Sequence, residues 1–245
     1  MSHLSNGGSI LAESPADICK ALLTLINSAD TQDELECRKY LSHAEDFLFK
    51  KDTLRRVLYS ERELPTNMGK SDYVVSGIIG NNPVVINCVR TYVWEFKAPQ
   101  CSWFRKETEN RLCPTKELFE AENQLLNYYH SLKFDLNLVK RFEAGHPDNV
   151  FMGGIIIGSR ERLVMEDMEP AKKGKLLEDA YTIRNLYFYQ QTGLSLFTWN
   201  DVLDHLNRKF VNYAKESTIP EYKFSADKIP PGTLSADVTV KPANL

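Results

Sequence analysis

The 245-residue chain has no apolar run near the ~20 residues a bilayer-crossing helix needs, so no membrane span is expected. Its opening, "MSHLSNGGSILAES", lacks a basic segment followed by an apolar one, and no secretory signal is expected. Cysteine is sparse: Cys19, Cys37, Cys88, Cys101 and Cys113 are odd in number and scattered, which matches no zinc spacing and suits a reducing cytoplasm. A net charge of −3 does not advertise a polyanion partner. Familiar catalytic signatures are missing too. "GGIIIG" has no Lys-Ser/Thr of a phosphate loop and reads as strand, where its glycines serve close packing. "HAE" at 43 to 45 has no Pro-Cys-x-x-Cys after it, and neither His-Glu-x-x-His nor Gly-x-Ser-x-Gly occurs.

What the chain does have is an uneven charge distribution and clear periodicity. Residues 1 to 49 are acidic on balance, whereas residues 50 to 70 carry Lys50, Lys51, Arg55, Arg56, Arg62 and Lys70 against Asp52, Glu61 and Glu63. Two readings of the basic stretch stay open: contact with nucleic-acid phosphates, or a solvated helix face. "SPADICKALLTLINSAD" predicts a helix capped by Ser14 with Pro15 first, and "TQDELECRKYLSHAEDFLF" a second, with Thr31 and Glu34 at capping-box spacing. "SDYVVSGII" alternates like a strand, "GNNP" is a turn, and 84 to 97 reads as one long strand or two with a break at Arg90–Thr91. Residues 98 to 114 read as a polar loop. Then come helix "TKELFEAENQLLNYYHSL", strand "VFMGGIIIGS", helix "PAKKGKLLEDAYTIRNLYFYQQ" ended by Gly193, strand "LSLF", and a helix from "TWNDVL" with Thr198 and Asp201 at capping-box spacing. The order implies an α/β domain with a small mixed sheet flanked by helices, preceded by N-terminal helices.

One stretch concentrates chemistry. In "RTYVWEFKAPQ" an extended chain puts Tyr92, Trp94 and Phe96 on one face and Val93, Glu95 and Lys97 on the other. Two charges ending so apolar a strand are costly unless paired, solvated at a cleft, or used. Asp72 begins the preceding strand, and the 23-residue step to Glu95 fits a hairpin that sets the two carboxylates side by side. Two carboxylates with a main-chain carbonyl and waters make a hard oxygen site for Mg²⁺ or Mn²⁺, and a lysine on the same face can hold a water or a phosphate oxygen. This is the chemistry of PD-(D/E)XK nucleases. Glu-x-Lys is frequent, so an edge strand with a plain Glu–Lys pair stays open as the alternative.

"VWEFKAPQ" followed by "CPTKELFEAENQLLNYY" resembles the Shedu family of anti-phage nucleases: an apolar strand, Glu-x-Lys-x-Pro, a loop, and a helix carrying Gln before Tyr. "SDYVV", "GGIIIGSRERL" and "LYFYQQTGLSLFTWNDVLDHL" resemble further family segments in order, over roughly residues 30 to 210. Phe96 replaces a small aliphatic residue, Ser71 stands where Arg-Pro commonly precedes the Asp, and "NCVRTY" lengthens the approach to Glu95. The resemblance implies a PD-(D/E)XK restriction-endonuclease-like core over 61–215, after a helical segment 1–60 and before a tail 216–245. It implies a cytoplasmic, Mg²⁺- or Mn²⁺-dependent DNA endonuclease of bacterial defence, forming a dimer or tetramer, with Asp72, Glu95, Lys97 and Gln124 catalytic and the first two holding metal. A non-catalytic nucleic-acid-binding or sensor module on the same fold is the alternative. Gln124 either positions water or phosphate, or fills a polar place at a helix–sheet contact. Glu36 is either an extra carboxylate of the site or part of a solvated face. Candidate phosphate contacts are Lys50, Lys51, Arg55, Arg56 and Arg160, the last with a surface salt bridge as its alternative. Trp103 and Phe104 either stack on a base or pack.

Overall fold

The computed structural model describes residues 14–29, 34–50, 52–66, 69–80 and 88–217. Helix α1 (Pro15–Asn27) starts as its sequence dictates: the Ser14 hydroxyl accepts from Asp17 N at 3.2 Å, and Pro15 occupies a position whose N–H would have no partner. The expected second helix is broken. It comprises α2 (Glu34–Lys39) and two 3-10 turns, Tyr40–His43 and Glu45–Phe49, hinged at Ala44. Ser42 Oγ donates back to Lys39 O, a local bond that competes with helical continuation. Thr31, its expected capping partner, lies outside the described residues.

Strand β1 (Leu54–Thr66) occupies the basic stretch, which is therefore not a helix face. It pairs antiparallel with β2 (Gly69–Ile79), and β2 with β3 (Cys88–Phe96). The expected boundary at 60/61 falls inside β1, and the expected break at Arg90–Thr91 falls inside β3; residues 81–87 lie outside the described set. The "polar loop" contains a hairpin, β4 (Phe104–Thr108) and β5 (Arg111–Pro114), whose charged tips face out while Phe104 and Leu112 are buried. Helix α3 (Lys116–Phe134) is capped by Thr115, whose hydroxyl accepts from Leu118 N at 3.2 Å, and α4 (Leu136–Arg141) follows. Strand β6 (Val150–Ile156) pairs parallel with β3, as the strand–helix–strand passage requires. Helix α5 (Pro170–Arg184) runs through a π-helical turn (Asn185–Tyr189) into α6 (Gln190–Thr192), which Gly193 ends in the left-handed region at φ 73°. Strand β7 (Ser195–Phe197) pairs with β6, and α7 (Trp199–Ser217) begins with a reciprocal capping box: Asp201 Oδ2 accepts from Thr198 N at 2.8 Å, and Thr198 Oγ1 from Asp201 N at 3.3 Å.

The main sheet has the order β1-β2-β3-β6-β7, antiparallel on one side of β3 and parallel on the other. The chain is thus an α/β protein with a five-stranded mixed sheet between helices. Alternation along the strands builds a core on each face. Tyr92, Trp94 and Phe96 pack with Ile18, Leu22, Leu41, Leu48 and Trp199, while Val74 and Val93 pack with Leu118, Leu125 and Ile155. The N-terminal helices therefore share a core with the sheet. Close packing accounts for Gly153 and Gly154: an added Cβ would stand 2.6 Å from the Trp94 ring and 2.3 Å from Ser195 O, respectively. By contacts, one compact unit runs through Phe210 and holds the whole sheet; a second begins at Val211. The expected tail lies, beyond Ser217, outside the described residues. No described helix is long and apolar enough to cross a membrane.

Candidate active site

Strand register assembles the site. Tyr73 opposes Trp94, and the next step along both strands sets Asp72 beside Glu95. Asp72 Oδ2 accepts from Phe96 N at 2.9 Å, which anchors the carboxylate at the end of β3. Beyond the strand, Lys97 N donates to Ile156 O at 2.9 Å and Trp199 Nε1 donates to Lys97 O at 2.7 Å, so the lysine leaves from a fixed backbone. Its Nζ lies 3.0 Å from Glu95 Oε1 and donates to Gln124 Oε1 at 2.8 Å. Asp72, Glu95, Lys97 and Gln124 are thus brought together, with α3 as the roof.

The electrostatics are those of a desolvated like-charge pair. Glu95 is 2% exposed, and burial, followed by the neighbouring Asp72 charge, pushes its carboxyl well above the usual range despite Lys97. Burial acts to lower the Lys97 ammonium, but the Glu95, Asp72 and Glu34 carboxylates outweigh it and hold it up. Tyr128, one turn beyond Gln124, is raised by burial and then by the charges of Glu95 and Asp72. Glu95 Oε2 is buried without any hydrogen-bond partner. A buried carboxylate oxygen left open is expensive and has capacity for a ligand.

Arg38 is the residue at the site that the sequence does not announce. Arg38 on α2 is nearly buried, pairs with Glu34 one turn back, and reaches Asp72 Oδ1 at 2.8 Å. The Glu34–Arg38 spacing is legible in the sequence; the reach to Asp72 is not. Glu36 points away and pairs with Lys39 on an exposed face.

The candidate phosphate contacts do not gather around this cluster. Lys50 donates to Met152 O at 2.9 Å and Gly193 O at 2.8 Å, fastening a turn with φ 58°; burial lowers its ammonium to about 8 against the pull of Asp52. That is a structural job. Arg55 and Arg56 are exposed on β1, whose start aligns with the far end of β2 and β3, and Lys51 lies outside the described residues. Arg160 is at the right end of the sheet, but Asp201 at 2.5 Å and Asp204 at 2.8 Å hold its guanidinium. Trp103 and Phe104 are buried, and Trp103 Nε1 donates to Ile157 O at 2.7 Å; both pack rather than await a base.

Metal capacity is bounded by composition. Among the described residues no group of three or more His, Cys, Asp or Glu is placed to hold a metal ion. The cluster offers two side-chain carboxylates, Asp72 and Glu95, and Mg²⁺ is commonly held by one or two carboxylates with its remaining positions kept by water and substrate oxygens. The open Glu95 oxygen and the all-oxygen donor set fit such an ion. In comparison with known proteins, the chain matches no family model and no curated protein.

Proposed function

We propose that this chain is a metal-dependent DNA endonuclease on a PD-(D/E)XK-like core. The observation that carries the proposal is the convergence of Asp72, Glu95 and Lys97 at the adjoining ends of two antiparallel strands, with Glu95 Oε2 buried and open. An antiparallel meander whose third strand pairs parallel with a strand reached through a helix supports that core. The sequence resemblance to Shedu nucleases extends the proposal to bacterial anti-phage defence and to assembly as a dimer or tetramer, since cutting both strands of a duplex calls for two sites about a two-fold axis.

In this reading Asp72 and Glu95 would hold Mg²⁺ or Mn²⁺. Held there, the ion would supply polarisation of the phosphodiester and a lowered pKa for a bound water. Lys97 orients the attacking water or a phosphate oxygen, and its charge stabilises charge developing on the phosphate. Gln124 fixes the Lys97 Nζ, and the apolar strands around it keep bulk water from the buried side. Lys97→Ala should lower nicking of supercoiled plasmid in Mg²⁺ by at least about a hundredfold, and EDTA should abolish it in the native protein. Native rates in Lys97→Ala would reject the assignment.

A second reading has its own observation. Both Asp72 oxygens are taken, one by Arg38 and one by Phe96 N, and Lys97 is held by Glu95 and Gln124. A closed cluster of this kind also suits a non-catalytic nucleic-acid-binding or sensor module. Salt-dependent DNA binding without any metal-dependent cutting would select it.

A further inference from the structure

The cation already in the site belongs to the protein. Arg38 is 8% exposed, and its guanidinium bridges Glu34 on its own helix and Asp72 on β2, stacking 5.6 Å from the Phe96 ring centroid. Its Nε is buried without a partner, so the guanidinium is held by its two carboxylates and by the ring, not by a full set of hydrogen bonds. Arg38 has a second resting place: if it leaves Asp72, the ion pair with Glu34 survives, because the two side chains are one helical turn apart. Among the described residues Arg38 makes the one direct ion pair to Asp72, whose other oxygen accepts from a backbone N–H, and Lys97 acts on it through charge alone.

We propose that Arg38 is an internal latch, a guanidinium that occupies Asp72 in place of a divalent cation and must swing onto Glu34 before Asp72 can serve as a ligand. The inference rests on the two-carboxylate metal reading and adds to it a regulatory element. Helix α2, through one side chain, sets how readily the site loads. The physical basis is competition for one carboxylate. Asp72 stands beside the almost fully buried Glu95, and Arg38 offsets the repulsion between the two carboxylates. A divalent ion offsets it better, but must first displace a buried, charge-assisted contact, and that displacement weakens the apparent affinity by the fraction of time the latch is open. Anything that shifts α2 away from the sheet, such as a bound partner or substrate, would then load the site.

Titration calorimetry of the full chain with Mn²⁺ tests this directly, without reference to activity. Arg38→Met keeps the length and packing over Phe96 and removes the charge; its Kd for Mn²⁺ should fall at least tenfold from that of the native protein. Arg38→Lys, which retains one cation and folds under gentler change, should lie between the two. Thermal melts give an independent readout: Arg38→Met should melt below the native protein without metal, and Mn²⁺ should close that gap. An unchanged Kd with an equal melting deficit in both conditions makes Arg38 a structural ion pair and overturns the latch. A weaker Kd in both variants also overturns it, since Arg38 would then be helping the metal. If the native protein, Arg38→Met and Arg38→Lys all fail to bind Mn²⁺, the metal reading itself falls and the latch falls with it.

Discussion

Two glutamates in this protein are buried to the same degree and held in opposite ways. Glu122 on α3 is closed: Oε1 accepts from Tyr189 OH at 2.7 Å and Arg184 Nε at 3.2 Å, and Oε2 pairs with Arg184 Nη2. Glu95 on β3 is open: Oε1 faces Lys97, Oε2 faces no donor, and another carboxylate stands beside it. Burial pushes both carboxyls up, but Tyr189 and Arg184 pull Glu122 back, whereas Asp72 pushes Glu95 further. The closed cluster fastens α3 to the last residue of α5 and to the turn that follows it. Arg184 and Tyr189 are five residues apart, a spacing a regular α-helix turns to different faces; the π-helical turn brings both to one carboxylate. A satisfied buried ion pair is a fastener, and an unsatisfied one has room for something else.

The largest expected effect breaks the closed side. Glu122→Ala leaves Arg184 and Tyr189 without their acceptor and should cost about 3–5 kcal/mol in urea unfolding. Glu95→Gln, without metal, removes a repulsion as well as an ion pair and should stay within ~1 kcal/mol of the native protein. Equal losses at the two positions would make Glu95 a second fastener. Next in size is the metal response. Mn²⁺ at a hundredfold excess over its Kd should stabilise the native protein by about 2.7 kcal/mol, and calorimetric melts should show that gain vanishing in Glu95→Gln. Tyr189→Phe should keep the whole metal response while losing about 1–2 kcal/mol at Glu122, because one buried acceptor loses its phenol donor.

The smallest effect concerns a third, half-exposed cluster that lies between the two extremes. Asp46 takes His205 Nε2 at 2.8 Å and Lys209 Nζ at 2.8 Å; burial raises its carboxyl, but these two partners outweigh it and hold it far below the usual range. A carboxyl depressed in the folded state contributes stability above its unfolded value of 3.8, and that contribution is lost as pH falls towards the folded value. Asp46→Asn should therefore flatten part of the acid limb of a stability–pH curve and leave the metal response unchanged. An unaltered acid limb in Asp46→Asn would mean that the two hydrogen bonds carry no net charge stabilisation.

Local signals were legible in the sequence wherever the physics is local. Ser14 with Pro15 and the Thr198–Asp201 pair each announced a helix start, because a cap acts within three or four residues. Alternation in "RTYVWEFKAPQ" determined which side chains share a face, and so that Glu95 and Lys97 would lie together. The hairpin spacing put Asp72 within reach. Where charge masks periodicity, the sequence hides the element. Strand β1 is an edge strand studded with Arg and Glu, as edge strands often are, and its pairing with β2 leaves no apolar signature. The hairpin β4–β5 is hidden for the same reason, and the helix begun at Glu34 passes at Tyr40 into 3-10 turns where composition alone would continue it.

The sequence by itself determined the α/β class, the helix starts and the meeting of a carboxylate pair with a lysine. Only the tertiary structure decided what each charge pairs with. Lys50 caps two carbonyls 102 and 143 residues away, Arg160 is held by the start of α7, and Arg38 pairs with Asp72. The reason is physical. Periodicity and capping act along the chain, within a turn or a strand, whereas a buried charge is settled by whichever opposite charge or dipole packing delivers to it, and that partner has no fixed distance in sequence.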